Sequence, residues 1–386
     1  MTKSLCTAIQ NDRREVVDIE SWRAHLLKWV SPDEIPNSDE ILSGEELEKI
    51  LARRNEPRFS VLVAGDVMLG DRTRSYLAEH GDDYPFQGVG PLMSRADIVF
   101  GNLEGPLARR AAKVDRVYSY RVKPESAHTL LRAGINAVTL ANNHLLDCGR
   151  DGVLETIDTL ESAGIASVGA GRDAATAHRP AILQAGSLRI GLLGYYWNRR
   201  CAAVGDLPGS AIDSAESLAA DIVPLRRLVD RIVVAFHWGV PYERDPGEEI
   251  RIKARLAVDL GADAVVGHHP HVVQAFEVYR RRPIFYSVGN FAFGSGSSRS
   301  EGLLVGFNFE PDRTITRVYP IYVKNRDPRV AYQPKTLHGD AAMRSLSKLR
   351  SLSGAHGASL QIDQDRGVVE LNRGDDDHIY DKKEYL

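Results

Sequence analysis

The spacing of hydrophobic and polar positions changes near residue 58, and the change predicts two kinds of structure. Before it, apolar side chains recur near helical spacing at Ile19, Trp22, Leu26, Trp29 and Val30. Ser43 and Glu46 then form a capping-box pattern that opens a second helical stretch, and Pro57 ends it. The pattern predicts a separate N-terminal helical extension over residues 1–57, with its apolar face packed on the main body.

From Phe59 onward, short apolar runs rich in β-branched residues alternate with helix-like stretches. The apolar runs occupy residues 59–66, 97–105, 137–144, 189–197, 231–239, 262–271 and 283–291. The helix-like stretches occupy residues 124–134, 149–164, 214–230 and 248–261. Continuous apolar strands separated by helices predict an α/β domain over residues 58–330, with sheets covered on both faces. Residues 331–386 are expected to hold a further helix, strand-like segments and a charged tail.

Composition narrows the class of protein. The chain has 386 residues with a net charge of -3, so no basic excess argues for nucleic-acid binding. Its three cysteines lie far apart and predict neither a disulfide framework nor a cysteine zinc site. The start of the chain lacks a signal-peptide pattern, and no apolar run reaches the ~18 residues of a membrane span. We therefore expect a cytoplasmic protein with no membrane span.

The ends of the predicted strands carry the chemically informative residues. All but one of the apolar runs finish in residues that can bind metal or transfer protons: Asp66, Asn102, Glu104, Asn142, Asn143, His144, His237, His268, His269, His271 and Asn290. Ligands of open α/β sheets bind beyond the carboxyl ends of the strands. Turns alone would supply glycine, serine and proline rather than histidine. Imidazole, carboxylate and amide oxygen together predict a divalent metal site with one or two ions, with Mn, Fe or Zn favoured.

The segment His268-His269-Pro270-His271 makes a prediction about orientation. Residues two apart in extended chain face the same side, and Pro270 biases His269 toward extended geometry. His269 and His271 are therefore expected to point into one pocket. His268 is expected to face the other way, as a core or metal-supporting histidine.

Six motifs, in this order, resemble the motif set of the CapA family, also called the poly-γ-glutamate capsule biosynthesis family. They are GDVMLG (65–70), GNLEGP (101–106), ANNHLLDCG (141–149), HWG (237–239), GHHPHVVQ (267–274) and YSVGNFAF (286–293). The resemblance spans roughly residues 59–325, and that family is similar to calcineurin-like metallophosphoesterases. It implies a four-layer α-β-β-α sandwich of the metallophosphoesterase type, with two metals between the strand ends.

The resemblance also implies roles for individual residues. The implied metal ligands are Asp66, Glu104, Asn143, His237, His269 and His271. Glu104 takes the place of a bridging aspartate, and His144 stands free as a proton donor or charge stabiliser. Met68 stands where the phosphoesterase pattern has a histidine, so the metal site of Asp66 and His271 is short of a ligand.

Four further residues are candidates for orienting or binding a substrate. Asp147 could orient His144, although a loop or cap role is equally open. A guanidinium binds carboxylate or phosphate bidentately, which makes Arg121 a substrate-binding candidate, with a surface arginine as the equal alternative. Asn290 and Tyr242 complete the candidate substrate-binding residues, and Asn290 has the alternative of fixing the loop beside the metals. Tyr242 follows Pro241, where the family often has a glutamate, so any substrate role of that glutamate is lost.

Three functions remain open from the sequence. The first is a metal-dependent hydrolase acting on a phosphoester or a related acyl or amide bond. The second is a non-catalytic or assembly protein in poly-γ-glutamate or envelope polymer synthesis, and the third is a tailoring enzyme that makes or breaks an amide bond. The expected partner is a small anionic or peptide-like substrate, and the N-terminal extension would be the route to any homo-oligomer.

Overall fold

The computed structural model describes residues 35–115, 118–295 and 301–372, together with the backbone pairing of strands β1 (Cys6–Gln10) and β2 (Arg13–Val17). These two strands pair antiparallel, where the extension was expected to be helical. Val16 and Val17 at the end of β2 are β-branched residues, which favour extended chain. The apolar positions between residues 19 and 30 lie outside the described residues, and the division of the chain at residue 57 stays a prediction.

The main body contains helices and strands in alternation. The helices are α1 Gly44–Arg53, α2 Thr73–His80, α3 Gly90–Met93, α4 Ser126–Arg132, α5 Gly149–Ala163, α6 Ala174–Ala177, α7 Ala215–Arg226, α8 Glu248–Asp259 and α9 Gly339–Gly354. Short 3₁₀ turns occupy Ser38–Glu40, Tyr84–Phe86 and Arg199–Cys201.

The first eight strands of the main body are β3 Phe59–Met68, β4 Ala96–Leu103, β5 Ile135–Thr139, β6 Ala166–Val168, β7 Ala170–Gly171, β8 Ala181–Ala185, β9 Leu188–Tyr196 and β10 Gly209–Ser210. The later strands are β11 Arg231–His237, β12 Ala264–His268, β13 Phe276–Tyr279, β14 Arg282–Phe285, β15 Asn290–Phe293, β16 Glu301–Phe309, β17 Arg313–Tyr322, β18 Lys335–Thr336, β19 Gln361–Asp363 and β20 Arg366–Asn372.

Most of these strands belong to two sheets. The first sheet has the order β13-β14-β12-β11-β9-β8, and its central strands β9, β11, β12 and β14 are parallel. The second sheet has the order β19-β20-β17-β16-β3-β4-β5-β6, with β15 paired to β3 and β18 paired to β17. Strands β3 to β6 run parallel. Each sheet therefore gathers the carboxyl ends of several parallel strands at one edge.

The two sheets pack face to face and are covered by helices on their outer faces. Val63 and Phe100 of the second sheet share a buried cluster with Leu192 and Val266 of the first sheet. The opposite face of the first sheet packs on α7 and α8, for example through Leu218 of α7. The opposite face of the second sheet packs on α1, α3, α4 and α5. These layers confirm the predicted α/β class and the α-β-β-α order.

One predicted strand is divided between the two sheets. Residues 283–291 read as a single apolar run, but β14 ends at Phe285 in the first sheet and β15 begins at Asn290 in the second sheet. Gly289 between them has a positive φ of 73°, a conformation that glycine adopts without steric cost. The chain therefore crosses from one sheet to the other at this point.

Helix α1 is built into the main body. The capping box forms as predicted, because the Ser43 N–H donates to Glu46 Oε2 over 2.8 Å and the Glu46 N–H donates to Ser43 Oγ over 3.3 Å. Leu47 and Leu51 of α1 are buried in the cluster that covers the second sheet. The apolar face of this helix thus packs on the body, as the sequence predicted.

The residues after α1 bind the C-terminal strands. Glu56 is buried and forms ion pairs with Arg317 and Arg366, and the Tyr319 hydroxyl donates to Glu56 Oε1 over 2.7 Å. Arg54 pairs with Asp365 over 2.7 Å in the turn between β19 and β20. Charged side chains from the two ends of the described body therefore form ion pairs with each other.

No helix among the described residues is both long enough and apolar enough to cross a membrane.

Replacing Leu192 by alanine tests the layer between the sheets. Leu192 is fully buried there, so Leu192→Ala is expected to lower the free energy of unfolding by about 2–5 kcal/mol through a cavity. Ile182 of the adjacent strand β8 is 45% exposed, and Ile182→Ala is expected to cost about 1 kcal/mol or less. Urea-induced unfolding measures both, and equal costs would contradict the two-sheet core.

Candidate metal centre

Two carboxylates lie side by side at the carboxyl ends of β3 and β4. Asp66 pairs in register with Asn102, whose side-chain amide donates to Asp66 Oδ1 over 2.8 Å and to Glu104 Oε1 over 3.0 Å. Both carboxylate residues are fully buried. The amide oxygen of Asn102 in turn accepts from Asn142 over 3.1 Å. Asn102 thus holds both carboxylates, and Asn142 holds Asn102.

Glycines beside the site allow strands to approach closely. A Cβ on Gly65 would lie 2.1 Å from the carbonyl oxygen of Gly289. A Cβ on Gly267 would lie 2.0 Å from the carbonyl oxygen of Tyr286. The glycines that precede Asp66 and His268 in the sequence motifs are therefore required by packing.

His237, at the end of β11, lies between Glu104, which follows β4, and Asn143, which follows β5. Its Nδ1 lies 3.6 Å from Glu104 Oε1, and its Nε2 lies 2.8 Å from the side-chain oxygen of Asn143. Ligand atoms of Asp66, Glu104 and His237 all lie within 4.8 Å of one another and could hold a metal ion. The ring of His269 lies 4.6 Å from the ring of His237. These predicted ligands are brought together.

The histidines after β12 complete what we call the carboxylate–histidine cluster: Asp66, Glu104, His237, His268, His269 and His271. His271 Nδ1 lies 3.1 Å from Asp66 Oδ2 and 2.8 Å from the side-chain oxygen of Asn290. His268 Nδ1 lies 3.3 Å from Asp66 Oδ1. All three histidines of the segment therefore border the same site.

The expectation that His268 faces away was wrong. The sequence argument assumed extended chain through the segment, but φ is +96° at His269 and +56° at His271. Strand β12 ends at His268, so the alternation of faces does not continue past it. Pro270 did not hold His269 in extended geometry.

Burial and neighbouring charges shift the pKa values of the two carboxylates in opposite directions. Burial raises the pKa of Asp66, but its contacts with His268 and His271 outweigh burial and hold that pKa well below its usual value. Burial and the charge of Asp66 raise the pKa of Glu104 well above its usual value. Without a metal, Asp66 is therefore the carboxylate that stays ionised.

The pKa values of the histidines also shift in opposite directions. Burial lowers the pKa of His237 well below its usual range, and burial with the charge of His271 lowers the pKa of His269 to about 4. Burial also lowers the pKa of His271, but Glu104 and Asp66 outweigh it and raise that pKa to about 10. His237 and His269 are thus neutral at pH 7, as a metal ligand must be. His271 is the cation that balances Asp66 in the metal-free protein.

Unsatisfied polar atoms show that the cluster fits a divalent cation. The buried atoms without a hydrogen-bond partner among the described residues include Asp66 Oδ2, Glu104 Oε2, both ring nitrogens of His268 and Nδ1 of His269. Leaving such atoms unpaired costs about 1–3 kcal/mol each. A set of carboxylate, imidazole and amide donors suits Mn, Fe, Co or Zn. The residues therefore fit the metal that the family resemblance implied.

His144 stands beside the cluster and is oriented by a carboxylate. Its Nδ1 lies 2.7 Å from Asp147 Oδ2, and both side chains are buried. The backbone N–H of Tyr120 donates to the same Asp147 oxygen over 2.7 Å, and the Tyr120 ring lies 4.4 Å from the His144 ring. This arrangement fixes the imidazole and leaves its Nε2 as the nitrogen that can reach a substrate.

Sequence reasoning missed Tyr120. It lies 27 residues from Asp147 along the chain, in a segment with neither helix nor strand. Within the segment YSYRVKP (118–124), sequence reasoning proposed only Arg121 as a candidate. The tyrosines beside Arg121 are the feature that could have indicated Tyr120.

Met68 contributes no metal-binding group of the usual kind. Its side chain is fully buried, and its sulfur accepts the N–H of Gly70 over 3.1 Å. The inference that the Asp66 side is short of a ligand stays a prediction.

The candidate substrate-binding residues have different surroundings. Asn290 holds His271, and the Tyr242 ring lies 6.2 Å from the His271 ring with 40% of the residue exposed. The Arg121 guanidinium donates to the carbonyl of Ala111 over 3.3 Å. No hydrogen bond or ion pair joins Arg121 to the carboxylate–histidine cluster in the described part of the chain, and its substrate role stays a prediction.

Comparison with known proteins gives the class and the family. The family described as Bacterial capsule synthesis protein PGA_cap matches residues 60–295. The Capsule biosynthesis protein CapA of Bacillus anthracis is 30% identical over 350 residues, which are 88% of this chain and 83% of that protein. The PGA biosynthesis protein CapA of Bacillus subtilis (strain 168) is 32% identical over 261 residues, 66% of this chain and 69% of that protein. The chain belongs to this capsule synthesis family, which confirms the CapA resemblance.

Among solved structures, the 5'-nucleotidase from Candida albicans SC5314 is 10% identical, with a TM-score of 0.42. The match covers 71% of this chain and 54% of that chain. A likeness this remote carries no argument about the activity of this chain.

The raised pKa of His271 predicts a pH dependence of stability in the metal-free protein. The folded state keeps a proton on His271 up to about pH 10, whereas the unfolded state loses it near 6.5. The folded state therefore binds more protons between these values, and the free energy of unfolding is expected to fall as pH rises through this window. Urea unfolding with a chelator present measures the slope, and His271→Gln is expected to flatten it. Identical slopes in both proteins would contradict the assignment.

Proposed function

We propose that this chain is a metal-dependent hydrolase that acts on a phosphoester or a related acyl or amide bond. The observation that carries the proposal is the buried carboxylate–histidine cluster with unsatisfied ligand atoms, next to an imidazole held by Asp147. A purely structural site would not need an oriented proton donor beside it.

The cluster residues would hold the metal. Asp66, Glu104 and His237 offer ligand atoms in one group, and Asn143 adds an amide oxygen beside His237. When bound, a divalent ion in such a site acts as a Lewis acid, activates water and balances negative charge in the transition state. Its positive charge would also relieve the repulsion between the two buried carboxylates.

His144 would donate a proton to the leaving group. Asp147 accepts from Nδ1 and fixes the tautomer, so Nε2 faces outward to a substrate and can protonate a leaving group. Tyr120 confines the ring from one face. Burial of His144 keeps competing water away from this nitrogen.

The substrate would be small and anionic or peptide-like. Tyr242 lies at the exposed edge of the cluster beside His271, where it can contact the part of the substrate that does not react. Phosphate and carboxylate oxygens are both suited to a cationic centre. A phosphoester and a γ-glutamyl amide are therefore the two substrate types to compare, and turnover of the amide alone would indicate a tailoring enzyme.

Replacing His144 separates its proton role from metal binding. His144→Ala is expected to lower kcat by about 10²–10⁴-fold because general acid catalysis is lost, with the metal content unchanged. Hydrolysis of an alkyl phosphomonoester, a dialkyl phosphodiester and a γ-glutamyl alkylamide, whose leaving groups require a proton, would be measured with Mn, Fe, Co and Zn added separately, alongside elemental analysis.

A second His–Asp pair provides the matched control. His178 Nδ1 lies 2.7 Å from Asp221, the same separation as in the His144 pair, but outside the cluster. His178→Ala is expected to leave kcat unchanged. Full activity of the His144 variant with metal bound would sink the assigned role.

A non-catalytic role in capsule polymer assembly is the second candidate, and Met68 favours it. A thioether in place of an imidazole weakens the Asp66 side for a borderline ion, and a centre that binds metal too weakly would not support hydrolysis. Absence of bound metal and of metal-stimulated turnover, with copurification of a membrane synthase, would support this candidate over the hydrolase.

A further inference from the structure

We propose that the hydroxyl group of Tyr120 donates a hydrogen bond to an anionic oxygen of the substrate, beside His144. Tyr120 would then be a further catalytic residue, acting on a phosphoryl oxygen or on the oxyanion of a tetrahedral intermediate. The inference deepens the proposed function and rests on it, since the oxyanion has to lie at the carboxylate–histidine cluster. The proton stays on the tyrosine, and no covalent bond to Tyr120 forms or breaks.

The ring of Tyr120 belongs to a chain of ring contacts that joins His144 to the cluster. Its centroid lies 4.4 Å from that of the His144 ring. It also meets the Phe293 ring edge to face, with the centroids 6.0 Å apart. The Phe293 ring in turn lies 5.2 Å from the ring of His271. Tyr120 is therefore placed between the proposed proton donor and a histidine of the cluster.

The backbone of Tyr120 is tied to the segment that carries His144. Its N–H donates to Asp147 Oδ2 over 2.7 Å, and the neighbouring Ser119 hydroxyl donates to the Asp147 carbonyl over 3.4 Å. The Cys148 thiol lies 3.7 Å from the Tyr120 carbonyl, which accepts from it. A side chain that is already held in place loses less conformational freedom when it binds a substrate. Tyr120 is therefore preorganised for such a contact.

The hydroxyl end of Tyr120 lies toward the carboxylates of the cluster. Burial raises the pKa of Tyr120 most, and the charge of Glu104 raises it next. The charge of Asp147, which accepts from the backbone N–H, has a smaller effect on that pKa. Because the interaction between charges weakens with distance, the hydroxyl lies on the Glu104 side of the residue. This is the side on which a metal-bound substrate would be held.

Ser295 orients the hydroxyl and leaves its proton for a substrate. The Ser295 side chain forms a hydrogen bond with the Tyr120 hydroxyl that acts to lower its pKa, against the net rise. A hydrogen bond has this effect when it is donated to the ionised form, so Ser295 is the donor. The backbone carbonyl of Ser295 accepts from the Asn325 side chain over 3.0 Å, which fixes its position. A hydroxyl that accepts still has one proton to donate.

Binding of methylphosphonate tests the proposal without a need for turnover. The full chain loaded with Co²⁺ would be titrated by isothermal titration calorimetry, with metal content measured by elemental analysis. Tyr120→Phe keeps the ring and the backbone contacts and removes only the hydroxyl. Its affinity for methylphosphonate is expected to fall about tenfold, because a hydrogen bond to a charged oxygen is lost while the metal content stays the same. We expect kcat/KM for the alkyl phosphomonoester to fall by at least about the same factor.

Tyr118→Phe is the matched control, because Tyr118 belongs to the same segment but is 70% exposed. It is expected to bind methylphosphonate with wild-type affinity, and circular dichroism checks the fold of each variant. Unchanged affinity in folded, Co²⁺-loaded Tyr120→Phe would overturn the assignment and leave the proposed reaction standing. Weaker binding by this variant, with no hydrolysis by the wild-type chain, would support the contact and contradict the reaction. Wild-type protein that binds no methylphosphonate would overturn both.

Discussion

Two carboxylates buried between two sheets set the conditions that the rest of the centre has to meet. Asp66 and Glu104 have no exposure to solvent: the contacts of Asp66 with His268 and His271 outweigh burial and lower its pKa, whereas burial and the charge of Asp66 raise the pKa of Glu104. Burying unpaired charge costs far more than a domain can sustain. The nearby imidazoles, the bridging amide of Asn102 and, in our proposal, a divalent ion all respond to this constraint. The cluster is therefore held together by charge balance as much as by packing.

The two sheets contribute different chemistry. Strands β3 and β4 of the second sheet supply the carboxylates, whereas β11 and β12 of the first sheet supply the imidazoles. Neither sheet holds a complete ligand set, so the centre exists only where the two layers meet. The apolar cluster between the sheets, which includes Val63, Phe100, Leu192 and Val266, thus positions the strands that carry the candidate ligands. In our proposal, metal binding and stability therefore depend on the same interface, and a loss of packing there would lower the affinity for the metal.

Much of this arrangement could be predicted from the sequence. The alternation of apolar runs and helical stretches predicted the layers, and polar residues at strand ends predicted which side chains converge. The predictions went wrong where the chain leaves regular geometry. His268 faces the cluster because it is paired with His237 inside the first sheet, whereas His269 and His271 follow the strand with positive φ, where a period-two argument no longer holds. The division between β14 and β15 depends on which sheet receives each half, which local pattern does not encode. Tyr120 reaches His144 through a loop, so no periodicity marks it.

The link between Glu56 and Arg366 joins residues 310 positions apart, and it has a consequence for biosynthesis. A ribosome makes the first partner long before the second, so buried Glu56 has no Arg366 until nearly the whole body has emerged. During that interval β17 lacks its neighbour β20 and presents an open strand edge. We expect the nascent chain to depend on chaperones at this stage, and truncations that remove β20 to aggregate rather than yield a smaller soluble domain.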